Sequence, residues 1–306
     1  MKNYLGTFIK SVRISKSITQ RDLADNICTI RQLSRIESNT SSPSAFILQN
    51  FSTKLGTDLL KYLPYSSEAN GYFIKNVIDD TYLFYNKHQY DNALIEINKI
   101  DSFHEISDKC ILQEVLWLKA SIRIHLDLSE IDISYFIDLL KLTKKIDTLN
   151  DIFKYSLTKV EFEIISSIIF LLLNKNDLTQ SEWLLTRLIE LSEVLFEDSN
   201  KSSYLRALHN LAKIKYINHD YKSTVDLAEK GISYCIKYNS LDQLDRLYNI
   251  CGRAYYNLGD LIKGQQYLLL YIFLSQHRAL GDQLTEIYNT LIKKYKLETF
   301  SFHKTE

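Results

Sequence analysis

Within seven positions the chain places Thr29, Ile30, Arg31, Gln32, Ser34 and Arg35. An arginine guanidinium pairs two-pronged with guanine, a glutamine amide does the same with adenine, and small hydroxyl residues suit bases or phosphates. On a helix these residues form one outer face, with Leu33 and Ile36 facing inward, so the segment has the chemistry to read a major groove. A second set lies far downstream. Asn210, Asn249 and Asn289 recur about 40 residues apart, and an amide that both donates and accepts can hydrogen-bond an extended peptide backbone without reading its side chains. Arg206, Lys213, Arg246, Arg253 and Lys293 stand near them as charges for a carboxylate or acidic side chain, with Tyr216, Tyr255 and Tyr256 as walls for apolar pockets.

Catalytic patterns are missing. Gly259 to Gly264 imitates the spacing of a phosphate-binding loop, but Gln265 and Gln266 stand where Lys and Ser/Thr must hold phosphate and magnesium. The seven histidines include no HExxH and no pair at metal spacing with a carboxylate, and no Ser or Cys has the glycines of a nucleophile elbow. No enzyme activity, cofactor or metal ion is expected. His88 and His219 are expected as capping or surface groups.

The elements that must position these residues are helical. Only eight Gly and two Pro occur in 306 residues, too few for the turns of all-β or loop-rich folds. The composition, 45% hydrophobic and 24% charged, supplies a full core, and the length suggests two units. Net charge is zero, but residues 1–64 hold nine Lys/Arg against four Asp/Glu, a net of +5, while the other 242 carry 28 against 33, a net of −5. A basic head on an acidic body suggests that the head meets a polyanion. Cys28, Cys110, Cys235 and Cys251 are scattered without a CxxC pair, which fits a reducing cytoplasm rather than a disulfide framework or zinc site. Met1 to Lys10 has no apolar signal core, and the greasiest run, Ile164 to Leu173, is about half a membrane span. Neither export nor membrane insertion is expected, and that run is expected as a buried helix.

In the head, Leu5, Phe8, Ile9 and Val12 mark a first amphipathic helix ending near Ser15. Thr19 caps a second helix with Leu23 and Ala24 inward, and a turn at Asn26 to Thr29 leads to a third that ends near Glu37. Pro43 and Ser44 start a fourth with Phe46, Ile47 and Phe51 inward, Gly56 stops it, and a short fifth reaches Leu63 before Pro64.

The run Ile18-Thr-Gln-Arg-Asp-Leu-Ala-Asp-Asn-Ile-Cys-Thr-Ile-Arg-Gln-Leu-Ser-Arg-Ile-Glu-Ser38 resembles the helix-turn-helix of the Cro/repressor type. Within that group, the Asn-Ile-Cys turn and Leu-Ser-Arg-Ile-Glu-Ser resemble the PlcR-like regulators, Gram-positive transcription factors that respond to short signalling peptides. The resemblance spans Gly6 to Leu63 in motif. It implies that Gln20 contacts a phosphate, that Arg31, Gln32 and Arg35 meet DNA, and that Arg13 pairs internally with Glu37. Asn39 stands where the family often has Gly, which Asn tolerates because it adopts the left-handed conformation readily. The bases read do not transfer, since the exposed positions of helix three vary within such families.

From Tyr72 onward, pairs of amphipathic helices alternate with similar turns at Asn86 to Ala93, Asn174 to Leu178, Asn218 to Tyr221 and Asn257 to Leu261. Tyr90, Ser134, Leu178, Tyr221 and Leu261 lie roughly 40 to 44 residues apart, in the range of helix-pair solenoids. That spacing predicts five pairs. Tyr248 to Asp260 looks like a tetratricopeptide first helix and turn, with Gly252 and Ala254 small enough for close packing, and a closing helix is expected over about Asp282 to Tyr295. Stacked pairs curl around a concave groove; in the family resembled, asparagines in that groove contact the pheromone peptide.

The expected fold is therefore all-α: a five-helix helix-turn-helix domain at 1–64, a linker at 65–71 and a tetratricopeptide-like solenoid at 72–306. The expected function is a cytoplasmic, DNA-binding transcriptional regulator whose solenoid binds a short signalling peptide, as in quorum sensing, and so alters binding to the operator. Its partners would be a double-stranded, palindromic operator, the peptide and a second copy in a homodimer. The alternatives are a protein-interaction adaptor whose solenoid binds a folded signalling protein, and a phage-type peptide-responsive repressor.

Overall fold

The computed structural model describes residues 4–102, 106–127, 131–195, 201–277, 291 and 293–295, and among them every regular element is helical. The chain forms two compact units, Met1–Asp147 and Thr148–Glu306. The first begins with α1 (Leu5–Ser15), α2 (Gln20–Ala24), α3 (Ile30–Glu37), α4 (Ala45–Leu55) and a 3-10 turn at Leu60–Tyr65. It continues with α5 (Gly71–Asn86), α6 (Tyr90–Asn98), α7 (Lys109–His125) and α8 (Ile133–Lys141). The second holds a 3-10 turn at Leu149–Lys154, then α9 (Lys159–Asn174), α10 (Leu178–Leu195), α11 (Lys201–Ile217), α12 (Tyr221–Lys237), α13 (Leu244–Asn257) and α14 (Leu261–His277). No described helix is long and apolar enough to cross a membrane.

The head forms because each short helix contributes one apolar stripe to a shared core of Leu5, Phe8, Ile9, Leu23, Leu33, Ile36, Leu48, Phe51 and Leu55. Hydroxyls cap its helices at the expected places: Thr19 accepts from the Asp22 N–H, Thr29 from Gln32 and Ser44 from Ile47. Phe46 departs from expectation. Burial on α4 falls on Ile47, Leu48, Phe51 and Leu55, and Phe46 lies on the other side, 70% exposed.

Helix α1 lies unusually close to α3. A Cβ on Gly6 would come 1.7 Å from the Ile36 carbonyl oxygen, and Asn39, left-handed at φ 57, ties the same junction by donating to Thr7 Oγ1 at 2.5 Å. Gly6→Ala is expected to force the helices apart and destabilise the head by about 3 kcal/mol, the upper end of overpacking costs. Thermal denaturation followed by circular dichroism checks this; an unchanged melting temperature would rule out the close approach.

Residues 65–71, expected as a linker, are built into the first unit. The Tyr4 N–H donates to Ser66 O at 2.8 Å, and the Tyr65 hydroxyl donates to Glu114 on α7 at 2.8 Å. Buried Glu68 accepts from the Ser107 and Asp108 N–H groups at 2.9 and 2.7 Å. Phe8 stacks on Tyr72 of α5 at 4.1 Å. Aromatic contact and satisfied polar groups therefore tie the head to the first helix pairs, and this compact unit runs on to Asp147.

Among the described residues five helix pairs follow, α5/α6 to α13/α14. His88, Asn176, His219 and Gly259 have positive φ, and each stands two residues before the second helix of its pair. Asp177, Asp220 and Asp260 then cap α10, α12 and α14 through bonds from Gln180, Ser223 and Lys263. The two turn histidines brace these corners, His88 Nδ1 to the Tyr90 hydroxyl at 2.8 Å and His219 Nδ1 to that of Tyr221 at 2.7 Å. The apolar run lies within α9, where Ile164, Ile165, Ile168, Ile169 and Leu172 are buried. Gly252 approaches within contact of Gly264, so α13 and α14 pack backbone to backbone. The closing helix expected over 282–295 falls largely outside the described residues.

Candidate functional site

The head presents α3 as expected. Thr29, Ile30, Arg31, Gln32, Ser34 and Arg35 are all exposed, while Leu33, Ile36 and Glu37 are buried beneath them. Among the described residues no carboxylate pairs with Arg31 or Arg35, so two guanidinium groups and an amide stand free on one face.

Beneath that face, Arg13 and Glu37 form a buried two-pronged ion pair, Nε to Oε1 at 2.6 Å and Nη2 to Oε2 at 3.0 Å. The third nitrogen, Nη1, donates to Ile18 O at 2.8 Å and holds the approach to α2. This is the pairing implied by the resemblance. Gln20 is half-buried and its amide nitrogen donates to Glu37 Oε2 at 2.7 Å. Its side chain is thus part of the scaffold in this structure, and a phosphate contact would fall to the second amide N–H or the backbone. Burial pushes the Glu37 carboxyl up, but hydrogen bonds from Arg13 and Gln20 outweigh it and hold the group below the usual carboxylate range.

In the second unit, the left-handed turn residues set the register between helix pairs. Arg206, His209, Lys213 and Tyr216 on α11 stand 13, 10, 6 and 3 places before His219; Arg246, Asn249, Arg253 and Tyr256 on α13 stand at the same distances before Gly259. Spacings of three and four keep each set on one helical face. The expected asparagine column is therefore off by one: the equivalent of Asn249 is His209, and the equivalent of Asn210 is Ile250, a core residue 6% exposed. One residue turns a helix by about 100°, so Asn210 and Asn249 do not share a face. Asn289 lies outside the described residues.

The stripe is not uniform. Arg206 Nη2 donates to both Glu163 oxygens on α9 at 2.9 Å, which neutralises it within the solenoid. Arg253 lies 4.8 Å over the Tyr216 ring and donates to the Tyr295 hydroxyl at 3.3 Å, while Tyr256 meets Tyr295 edge-on at 4.7 Å. Tyr255 is a packing residue, donating to Glu229 at 2.6 Å and stacked on Tyr267. Lys293 is exposed. Lys213 and Arg246 are exposed and have no carboxylate partner among the described residues; the one polar contact of the Arg246 side chain there is a 3.4 Å bond to Gln243.

Two polar atoms of this stripe are buried without a hydrogen-bond partner among the described residues, His209 Nδ1 and Asn249 Oδ1. Burial, with Arg246 and Lys213 nearby, outweighs a hydrogen bond with the Asn210 side chain and the nearby Asp245 carboxylate and pushes His209 down to about 4, so the imidazole is neutral at physiological pH. Sequence reasoning passed over His209; its signal was its place three residues after Arg206, matching Asn249 three after Arg246. Among the described residues no group of three or more His, Cys, Asp or Glu side chains could hold a metal ion.

Residues 9–61 match a protein-family model described as a helix-turn-helix. Comparison with curated proteins gives no match. Among solved structures, the chain is similar to PlcR of Bacillus thuringiensis in complex with the peptide PapR7 and DNA, at TM-score 0.68 and 21% identity, covering 92% of this chain and 99% of that one. The apo form of the same protein matches at TM-score 0.59 and 19% identity, over 92% of this chain and 98% of that one. ComR from S. thermophilus, in complex with DNA and its signalling peptide ComS, matches at TM-score 0.54 and 16% identity, over 96% of this chain and 100% of that one. At these identities the likeness shows the fold, a helix-turn-helix head followed by helical repeats along the whole chain.

Proposed function

We propose that this chain is a transcriptional regulator that binds an operator through its head, residues 1–64, and a short signalling peptide through its solenoid, residues 72–306, with peptide occupancy altering operator affinity. The observation that carries the proposal is the free face of α3, two arginines and a glutamine with no internal partner among the described residues, on a head that matches a helix-turn-helix over residues 9–61. The peptide half is supported by whole-chain likeness to PlcR and ComR, whose structures hold both a peptide and DNA. Thr29, Ile30, Arg31, Gln32, Ser34 and Arg35 form the proposed reading face; Asn249, Lys213, Arg246 and Tyr256 belong to the proposed peptide face. The regulator acts in the cytoplasm as a homodimer, since two recognition helices about 34 Å apart meet successive major grooves.

Selection from a pool of randomised duplexes with the full chain tests the DNA half. The expected product is one enriched, two-fold symmetric motif. Recovery of unenriched sequence would remove operator recognition from the account.

A further inference from the structure

We infer that Ile30 selects thymine: its side chain packs on the 5-methyl group of one thymine in each half of the operator. The inference rests on the proposed DNA-binding role and names a base that the head reads. Leu33 and Ile36 of α3 are buried in the core of the head, and Ile27 and Cys28 of the preceding turn pack against it. Ile30 is turned outward instead, 49% exposed. The cap fixes its place, because the Thr29 hydroxyl accepts from the Gln32 N–H at 3.1 Å and makes Ile30 the first residue of α3. Residues four apart share a helical side, so Ile30 forms a row with exposed Ser34, alongside the row of Arg31 and Arg35.

A recognition helix enters the major groove with its N-terminal residues against the base edges. The edges there offer donors and acceptors, and one apolar group, the thymine methyl. An isoleucine side chain makes no hydrogen bond to a phosphate or a base edge. Against any other base it covers a donor or acceptor and returns no bond, which costs free energy. Against thymine it buries the methyl. Ile30 therefore favours one base and disfavours the rest. The bases read by such heads vary with the exposed residues of this helix, so the choice belongs to Ile30 rather than to the motif.

The probe is the duplex motif selected by the full chain, with each thymine replaced in turn, in both halves together, by deoxyuridine. The replacement removes the methyl and leaves base pairing unchanged. Fluorescence anisotropy of the wild-type chain is expected to find one symmetric pair of thymines at which it weakens binding about 15-fold, about fourfold for each methyl buried. Ile30→Ala, at an exposed position, should keep its melting temperature, weaken binding to the thymine duplex, and bind the thymine and uracil duplexes alike at that pair. Ile30→Val should retain part of the preference. A motif without thymine, a wild-type chain indifferent to uracil at every thymine, or a preference that survives intact in Ile30→Ala would overturn the role of Ile30 and leave operator recognition standing. Selection of no motif at all would overturn both.

Discussion

Replacing Arg13 with Met is expected to destabilise the head by about 3 to 5 kcal/mol, because it leaves the Glu37 carboxylate buried with two of its three hydrogen bonds gone. Glu37 is 5% exposed and Arg13 9%, so water reaches neither well. The change also frees the Ile18 carbonyl, where Arg13 fixes the approach to α2. Much of that penalty is the cost of an orphaned charge, so adding Glu37→Met to the same chain should recover a large part of it. Urea denaturation of the two variants checks both statements, and a double variant no more stable than the single one would contradict them. The pair also sets an acid limit. Its carboxyl is held below its unfolded value of about 4.3, so the stabilisation is fully present above that pH and is lost as pH falls through the lower, folded value. Glu37→Gln should remove this acid-side destabilisation, which thermal melts between neutral pH and pH 3 would reveal.

Arg31→Ala combined with Gln32→Ala should weaken operator binding by about 1 to 3 kcal/mol for each two-pronged bond to a base that the side chains no longer make. Both side chains are exposed and free of internal partners among the described residues, so the fold should survive and the effect should appear in binding alone. The specific motif should weaken much more than a scrambled duplex, because the remaining basic residues still reach the phosphates. Fluorescence anisotropy with both duplexes separates the two effects. Equal weakening on each would make these residues backbone-binding ones, and unchanged affinity for both would remove them from the reading face.

The head is largely legible from sequence because its signals are local. Helical periodicity marks α1 and α3, and hydroxyl residues mark the starts of α2, α3 and α4. The Arg13–Glu37 pair follows from the motif rather than from any local rule. Phe46 misleads because one apolar residue beside an apolar stripe looks like part of it until the helix phase is fixed. Gly6 gives no signal, since its carbonyl neighbour Ile36 lies 30 residues away in sequence. In the solenoid, turn residues reveal four of the five pairs and repeat spacing the other, but spacing of about 40 residues does not fix register to one residue. Asn210 therefore looks like the match of Asn249, although His219 and Gly259 set His209 in that place. Charge alone also does not tell a basic residue already paired, such as Arg206, from an unpaired one such as Lys213. That difference belongs to Glu163, on another helix 43 residues earlier.

The central claim is a coupling between two sites, and its most direct test is titration calorimetry of the intact chain with its selected duplex, with and without a saturating peptide selected from a randomised library. A coupling of about 1 to 3 kcal/mol, a 5- to 150-fold change in duplex affinity, is the predicted result. Equal duplex affinity for the free and peptide-saturated chain would contradict the account.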